Sequence, residues 1–192
     1  MAAIKQIQRI SYRDKEVIDI LNTIIEIKSS SKGYLLVLAG KYKKGKDDFI
    51  SDLSNRIGEI NSVDMRTIIS TNENESFENI EKLFNSLSEK DRVLYLENYD
   101  VLSGEYTAFT YSSVRYATPQ EKYLLKKIKD SNRIVIVELV DKANIHSMLN
   151  RFTQAVIEFD EPSSGIGKLF WKLKQIRIQG HTFENKRPLD VR

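Results

Sequence analysis

Residues 37–50, VLAGKYKKGKDDFI, join the end of an apolar run to the start of an amphipathic segment. The run YLLVLA, residues 34–39, is unbroken and of strand length, which is typical of a central strand covered on both faces. It is followed by Gly40, four further residues, Gly45 and Lys46, and then by apolar residues at helical spacing. The stretch therefore predicts a buried strand, a glycine-containing turn and a helix.

The spacing of the two glycines and the lysine is typical of a phosphate-binding loop. In such a loop the glycines let backbone N–H groups turn toward an anion at a helix N-terminus, and the lysine reaches the outer phosphates. Gly40, Gly45, Lys46 and Asp47 are therefore the candidate nucleotide-binding residues. Asp47 stands where a Ser or Thr would bind magnesium, and its carboxylate would repel phosphate, so we expect a vestigial site. The alternative is a lysine-rich turn between a strand and a helix.

The rest of the chain alternates helical and strand patterns. Helical spacing predicts helices over residues 15–28, after the glycine turn, around 77–87, from 119 onward and over 144–150. Short apolar runs predict further strands over residues 65–70, 92–97, 133–140 and 155–159. Strands separated by helices predict an α/β fold, a three-layer sandwich with a five-stranded parallel sheet. Residues 103–117, SGEYTAFTYSSVRYA, are either a surface loop or small hairpin, or a contact surface anchored by tyrosines.

Composition limits the chemistry that the chain can perform. Its 192 residues are 41% hydrophobic and 30% charged, with no Cys and two His. Thiolate catalysis and Cys-ligated or His-ligated metal are therefore not expected, and we predict no metal site. No apolar run approaches the roughly 18 residues that span a bilayer, so we predict a cytoplasmic protein without a transmembrane segment.

The residues at the end of the strand predicted over 92–97 indicate whether the chain could hydrolyse a nucleotide. Nucleotide hydrolases place an acidic pair at the end of such a strand, one carboxylate for magnesium and one for the attacking water. Here Glu97 and Asn98 take those places. An amide cannot act as a general base, so we predict no catalytic residue.

The order of these elements resembles the ATPase domain of the AAA+ family over about residues 12–162. GKYKKGK is similar to the Walker A loop, VLYLEN to the Walker B strand, RIVIVELV to the sensor strand, and SMLNRFTQAVIEFDEP to the segment that follows them. The resemblance implies a P-loop NTPase fold and rings or arcs in which one subunit completes the next subunit's site. It also implies that Arg151 is an arginine finger or a structural arginine at the subunit edge.

The sequence departs from the family pattern at Asp47, at Glu97 and Asn98, and at the end of the sensor strand, where Glu138 begins ELV in place of a polar Asn or Thr. About 30 residues follow Pro162, so we also expect no helical lid. The resemblance therefore implies a catalytically inactive domain that needs no cofactor and acts as a structural or regulatory subunit of a homo-oligomeric or hetero-oligomeric assembly. The alternative is an ATP-binding switch or weak ATPase that uses ATP and magnesium.

The basic residues are concentrated at the C-terminus. We place a boundary between an AAA+-like domain, residues 1–164, and a basic helix and tail, residues 165–192, which hold seven Lys or Arg against two acids. The helix would pack on the domain itself or form a subunit interface. Its candidate interface residues are Phe170, Trp171, Lys172 and Arg177. Basic amphipathic segments also bind membranes or nucleic acid, so a third alternative is a DNA-associated, clamp-loader-like accessory subunit.

Overall fold

The computed structural model describes residues 15–30, 32–107 and 113–159. Six α-helices lie in these ranges: α1 Lys15–Lys28, α2 Lys43–Ile57, α3 Met65–Ile68, α4 Glu73–Ser86, α5 Pro119–Asp130 and α6 Ser147–Phe152. Seven strands accompany them: β1 Tyr34–Ala39, β2 Asn61–Asp64, β3 Val93–Glu97, β4 Ser103–Thr107, β5 Ser113–Ala117, β6 Ile134–Leu139 and β7 Ala155–Glu158. Two 3-10 helices, Tyr99–Leu102 and Lys142–Asn144, follow β3 and β6.

Five of the strands form one parallel sheet in the order β2-β3-β6-β1-β7. At its centre, Val37 of β1 lies opposite Val137 of β6 on one side and Val156 of β7 on the other. Every residue of β1 and β6 is buried. Unbroken apolar strands form the middle of a parallel sheet because helices cover both of its faces.

Alternate residues of β1 point to two separate cores. Tyr34, Leu36 and Leu38 pack with α1 and α2 on the first face. Leu35 and Val37 pack with α3, α4, α5 and α6 on the second face. The predicted α/β fold with a five-stranded parallel sheet between helical layers is therefore confirmed. None of the described helices is long and apolar enough to cross a membrane.

The two central strands send their connections to opposite faces. β1 leads into α2 on the first face, whereas β6 leads through a 3-10 helix to α6 on the second face. In open parallel sheets, this divergence leaves a crevice at the carboxyl ends of the two strands, where ligands usually bind. The glycine turn begins at this end of the sheet, where Gly40 follows β1 and its N–H donates to the carbonyl of Leu139 at the end of β6.

The strand predicted over residues 65–70 is wrong. The structure places β2 at Asn61–Asp64 and helix α3 at Met65–Ile68. Asp64 begins this helix, because its side chain accepts a hydrogen bond from the N–H of Arg66 and so satisfies one of the free donors of the first turn.

The segment that breaks the alternation contains an antiparallel pair. β4 pairs with β5, with Ser103 opposite Ala117. This is the small hairpin that the sequence left open as one alternative, and its use as a contact surface remains a prediction. The proposed boundary at residue 164 and the interface residues Phe170, Trp171, Lys172 and Arg177 lie outside the described residues.

Candidate functional site

The glycine turn is shorter than its sequence spacing suggests. Gly40 leaves β1 with a φ of 113°, a conformation that favours glycine. Helix α2 already begins at Lys43, so Gly45 and Lys46 lie inside its first turn. The loop that would surround a phosphate is therefore reduced to residues 40–42.

Most backbone N–H groups around this turn already have acceptors within the chain. Gly40 donates to the carbonyl of Leu139 at 3.1 Å, and Tyr42 donates to the carbonyl of Phe159 at 3.0 Å. The Tyr42 carbonyl in turn accepts from the N–H groups of Gly45 at 3.2 Å and Lys46 at 3.4 Å. A phosphate-binding loop needs these donors free, since they supply its anion contacts. In this structure they hold the turn closed.

The absence of a side chain at Gly45 makes room for an aromatic ring. A Cβ atom at Gly45 would lie 2.5 Å from Cδ1 of Tyr42 and 2.9 Å from Cδ1 of Phe159. Tyr42 is buried in the first-face core, which also contains Phe159. The space next to this glycine is therefore filled by the protein's own aromatic side chains.

We expect Gly45→Ala to destabilise the protein by about 1–3 kcal/mol without any nucleotide present, because the added methyl group overpacks the core. Thermal denaturation followed by circular dichroism would measure the effect. Gly33→Ala is the matched control, since a Cβ there meets its nearest neighbours at an ordinary 3.5 Å. Equal stability of the two variants would contradict the packing role of Gly45.

Lys46 is buried and paired with a carboxylate of β6. Its Nζ lies 2.8 Å from Oε1 of Glu138 and donates to the carbonyl of Leu139 at 3.1 Å. Lys46 is 1% exposed and Glu138 is 3% exposed. Glu138 thus provides the negative charge that a nucleotide phosphate would otherwise bring to the lysine.

Asp47 follows Lys46 on the outer side of α2 and is exposed. Partial burial of its carboxyl group raises its pKa, and the negative charges of Glu138 and Asp48 add to this. Lys43 and Lys46 act in the opposite direction. A carboxylate here would repel a phosphate at the first turn of the helix, as the sequence suggested.

Glu97 and Asn98 are placed at the carboxyl end of β3. Glu97 is half-buried and lies opposite Asp64 of β2. Asn98 adopts a left-handed conformation with a φ of 56°, and its Nδ2 donates to Oδ1 of Asp64 at 3.0 Å. Asn98 therefore acts as a turn residue that joins the ends of two neighbouring strands.

Asp100 stabilises the same end of the sheet, where β3 and β6 end. Its carboxylate accepts hydrogen bonds from the N–H of Val140 at 2.8 Å, from the N–H of Asp141 at 3.3 Å and from Nδ2 of Asn144 at 2.7 Å. The connections that leave β3 and β6 are thereby held together. Arg151, the predicted finger or edge arginine, is exposed in the last turn of α6.

An open cavity of about 400 Å³ separates α2 from β2 and β3. Asp47 and Glu97 both line it, together with the buried Tyr95 and three serines, Ser51, Ser54 and Ser62. The structure thus brings two of the predicted site residues, Asp47 and Glu97, to one cavity. Lys46 is turned toward Glu138 and does not line it.

The sequence analysis missed the roles of Tyr42 and Glu138. Glu138 could have been found, because a lone carboxylate in the apolar strand RIVIVELV requires a buried partner. Tyr42 gave no such signal, since only the folded structure places its ring against Gly45.

Protein-family models and curated proteins were compared with the chain, and neither comparison finds a match.

Proposed function

We propose that the chain is an AAA+-like domain that has lost nucleotide hydrolysis and acts as a structural or regulatory subunit of a protein assembly. The ion pair between Lys46 and Glu138 carries the first part of this proposal. The lysine that would neutralise phosphate charge is already neutralised inside the protein. Exchanging Glu138 for a nucleotide would leave a buried carboxylate without its partner, which is costly.

Two further positions favour the loss of hydrolysis. Asp47 offers a carboxylate where magnesium and phosphate would need a hydroxyl, and it is close enough to Glu138 for the two charges to interact. Asn98 cannot accept a proton from water, and its amide is already bonded to Asp64. Phosphate binding is thus opposed by the negative charges of Glu138 and Asp47, and base catalysis by the amide of Asn98.

The assembly half of the proposal rests on the family resemblance, which implies subunits that contact one another through their nucleotide sites. The regular α/β fold around the altered loop supports it, since both faces of the sheet are covered by a hydrophobic core and the five parallel strands are all present. In this proposal the domain contributes subunit interfaces to the assembly. Binding of ATP as a switch is the competing function.

Isothermal titration calorimetry with ATP and magnesium tests the proposal. We expect no saturable heat from the wild-type protein, because most of the loop N–H donors and Lys46 already have partners within the chain. The comparison protein is the double variant Lys46→Met with Glu138→Leu, which removes both charges together and leaves neither buried alone. Micromolar ATP binding by the wild type that the double variant lacks would overturn the proposal and support the nucleotide switch.

A further inference from the structure

Helix α6 is capped by a histidine, whereas Ser, Thr, Asp and Asn are the usual residues at this position. In this chain Asn72 and Thr118 cap α4 and α5 through side-chain oxygens. At α6 the cap is Nδ1 of His146, which accepts from the N–H groups of Met148 at 3.2 Å and Leu149 at 3.4 Å. An amide or hydroxyl oxygen stays an acceptor near neutral pH, but an imidazole nitrogen can bind a proton there.

The other nitrogen of the same ring lies against a buried carboxylate. Nε2 of His146 is 2.7 Å from Oε2 of Glu121 on α5, and the two side chains are 3% and 0% exposed. Burial raises the pKa of Glu121, and its partners His146 and Tyr99 oppose that rise. Tyr99, in the 3-10 helix after β3, is itself fully buried. One ring therefore connects a helix cap to a buried acid.

Glu121 is the charged group that faces this ring from the described part of the chain. Asp100, next to Tyr99, is bonded to the N–H groups of Val140 and Asp141. On β5, which also packs on α6, the charged residue is Arg115, whose side chain lies outside the described ones. The charged side chains of α6, of the preceding 3-10 turn and of the residue after Glu121 are exposed: Lys122, Asp141, Lys142 and Arg151.

We propose that α6 has a pH-sensitive cap, in which protonation of His146 at Nδ1 breaks the cap and loosens the first turn of the helix. In the neutral ring Nδ1 accepts and Nε2 donates, which suits both neighbours. Once Nδ1 takes a proton from the solvent it becomes a donor, so it can no longer accept from the two N–H groups. The charged ring is at the same time attracted to the carboxylate of Glu121, which favours the protonated form. Lower pH therefore exchanges the cap for an ion pair on the other side of the ring.

The loosening is limited to the start of α6. Leu149 is fully buried in the second-face core, and after the helix Oε1 of Gln154 accepts from the N–H of Leu35 at 2.6 Å. These contacts hold the segment on the sheet whether or not the cap is formed. The pH then changes the surface that carries the exposed Arg151 without unfolding the domain. This inference does not rest on the proposed function, because no residue of the glycine turn takes part in it.

NMR spectroscopy of the full chain between about pH 8 and about pH 5 tests the inference. We expect the ring signals of His146 to show an unprotonated Nδ1 at the upper pH and a protonated Nδ1 at the lower. Over the same titration the amides of Met148 and Leu149 should lose about fivefold or more of their protection from hydrogen exchange, corrected for the intrinsic pH dependence of exchange, because that factor corresponds to a lost cap. The two amides that Asn72 caps in α4 are the internal reference and should keep their protection.

Three variants separate His146 from other sources of pH dependence. Glu121→Gln removes the charge that favours the protonated ring, so it should move the midpoint of the response to lower pH by about one unit or more. The double variant His146→Asn with Glu121→Gln keeps an oxygen cap that does not titrate, and it should show no response. His181→Asn changes the other of the two histidines and should respond like the wild type.

The inference is overturned if Nδ1 of His146 stays unprotonated over this range, since Glu121 would then take the proton and the cap would stay intact. It is also overturned if Nδ1 binds a proton while the amides of Met148 and Leu149 keep their protection. A double variant that responds like the wild type would place the pH dependence elsewhere in the chain and would equally contradict the cap.

Discussion

Lys46→Ala is expected to destabilise the nucleotide-free protein by about 3–5 kcal/mol, a large fraction of the stability of an ordinary domain. The substitution leaves Glu138 buried without the cation that lies 2.8 Å from it. It also removes a hydrogen bond to the carbonyl of Leu139. A lysine kept only to bind phosphate would have little effect on the stability of the free protein. Urea denaturation without nucleotide therefore distinguishes a structural role of Lys46 from a role in phosphate binding alone.

Two further variants complete this experiment. Lys44→Ala removes an exposed lysine from the same turn and should change the free energy of unfolding little. The double variant Lys46→Met with Glu138→Leu should recover most of the lost stability, because apolar side chains of similar size replace the whole pair. If Lys46→Ala proved as stable as Lys44→Ala, this would contradict the claim that the buried pair of Lys46 and Glu138 stabilises the nucleotide-free protein.

The second large effect is expected at His146, which is buried on the second face. Its Nε2 lies 2.7 Å from Oε2 of Glu121, and both side chains are almost fully buried. Its Nδ1 accepts from the N–H groups of Met148 and Leu149, so the same ring begins helix α6. Because Nδ1 is an acceptor, Nε2 carries the ring proton and donates a hydrogen bond to Oε2 of Glu121.

His146→Ala should therefore cost about 3–5 kcal/mol at neutral pH, since it removes the partner of a buried carboxylate and a helix cap together. The loss should depend on pH. Burial raises the pKa of Glu121 above its ordinary value of 4.5, and His146 opposes that rise. Without His146 the pKa of Glu121 rises further, so the folded variant binds a proton that the unfolded chain releases. The stability that the variant loses relative to the wild type is then smallest at acid pH and grows as pH rises through the raised pKa of Glu121.

Urea denaturation of His146→Ala at a series of pH values measures this slope. The control is Glu121→Gln in the same background, which has no carboxyl group to titrate and should lose the additional pH dependence. A His146→Ala variant whose loss of stability is the same at pH 4 as at pH 7 would contradict a charged Glu121 in the folded protein. His146 would then act only as a helix cap, with a cost of about 1 kcal/mol.

The strands and helices with clear periodicity could be predicted from the sequence. The apolar runs of β1 and β6 and the capped start of α5 at Thr118 and Pro119 are local signals, and the structure confirms them. The predicted strand over 65–70 failed because the short run MRTIIS fits either structure, and the cap from Asp64 decided for a helix. Periodicity alone cannot separate such short segments.

The candidate site could be predicted only in part. The sequence alone determined a strand, a glycine turn and a helix at residues 34–57. That Asp47 and Asn98 are unsuited to hydrolysis was also predicted from the sequence, and it stays a prediction. The tertiary structure decided that Lys46 pairs with Glu138, 92 residues later, and that Tyr42 fills the space beside Gly45. Local patterns follow from backbone geometry and the spacing of apolar residues along the chain. Partners across a sheet follow from strand order and register, which depend on the packing of the whole domain.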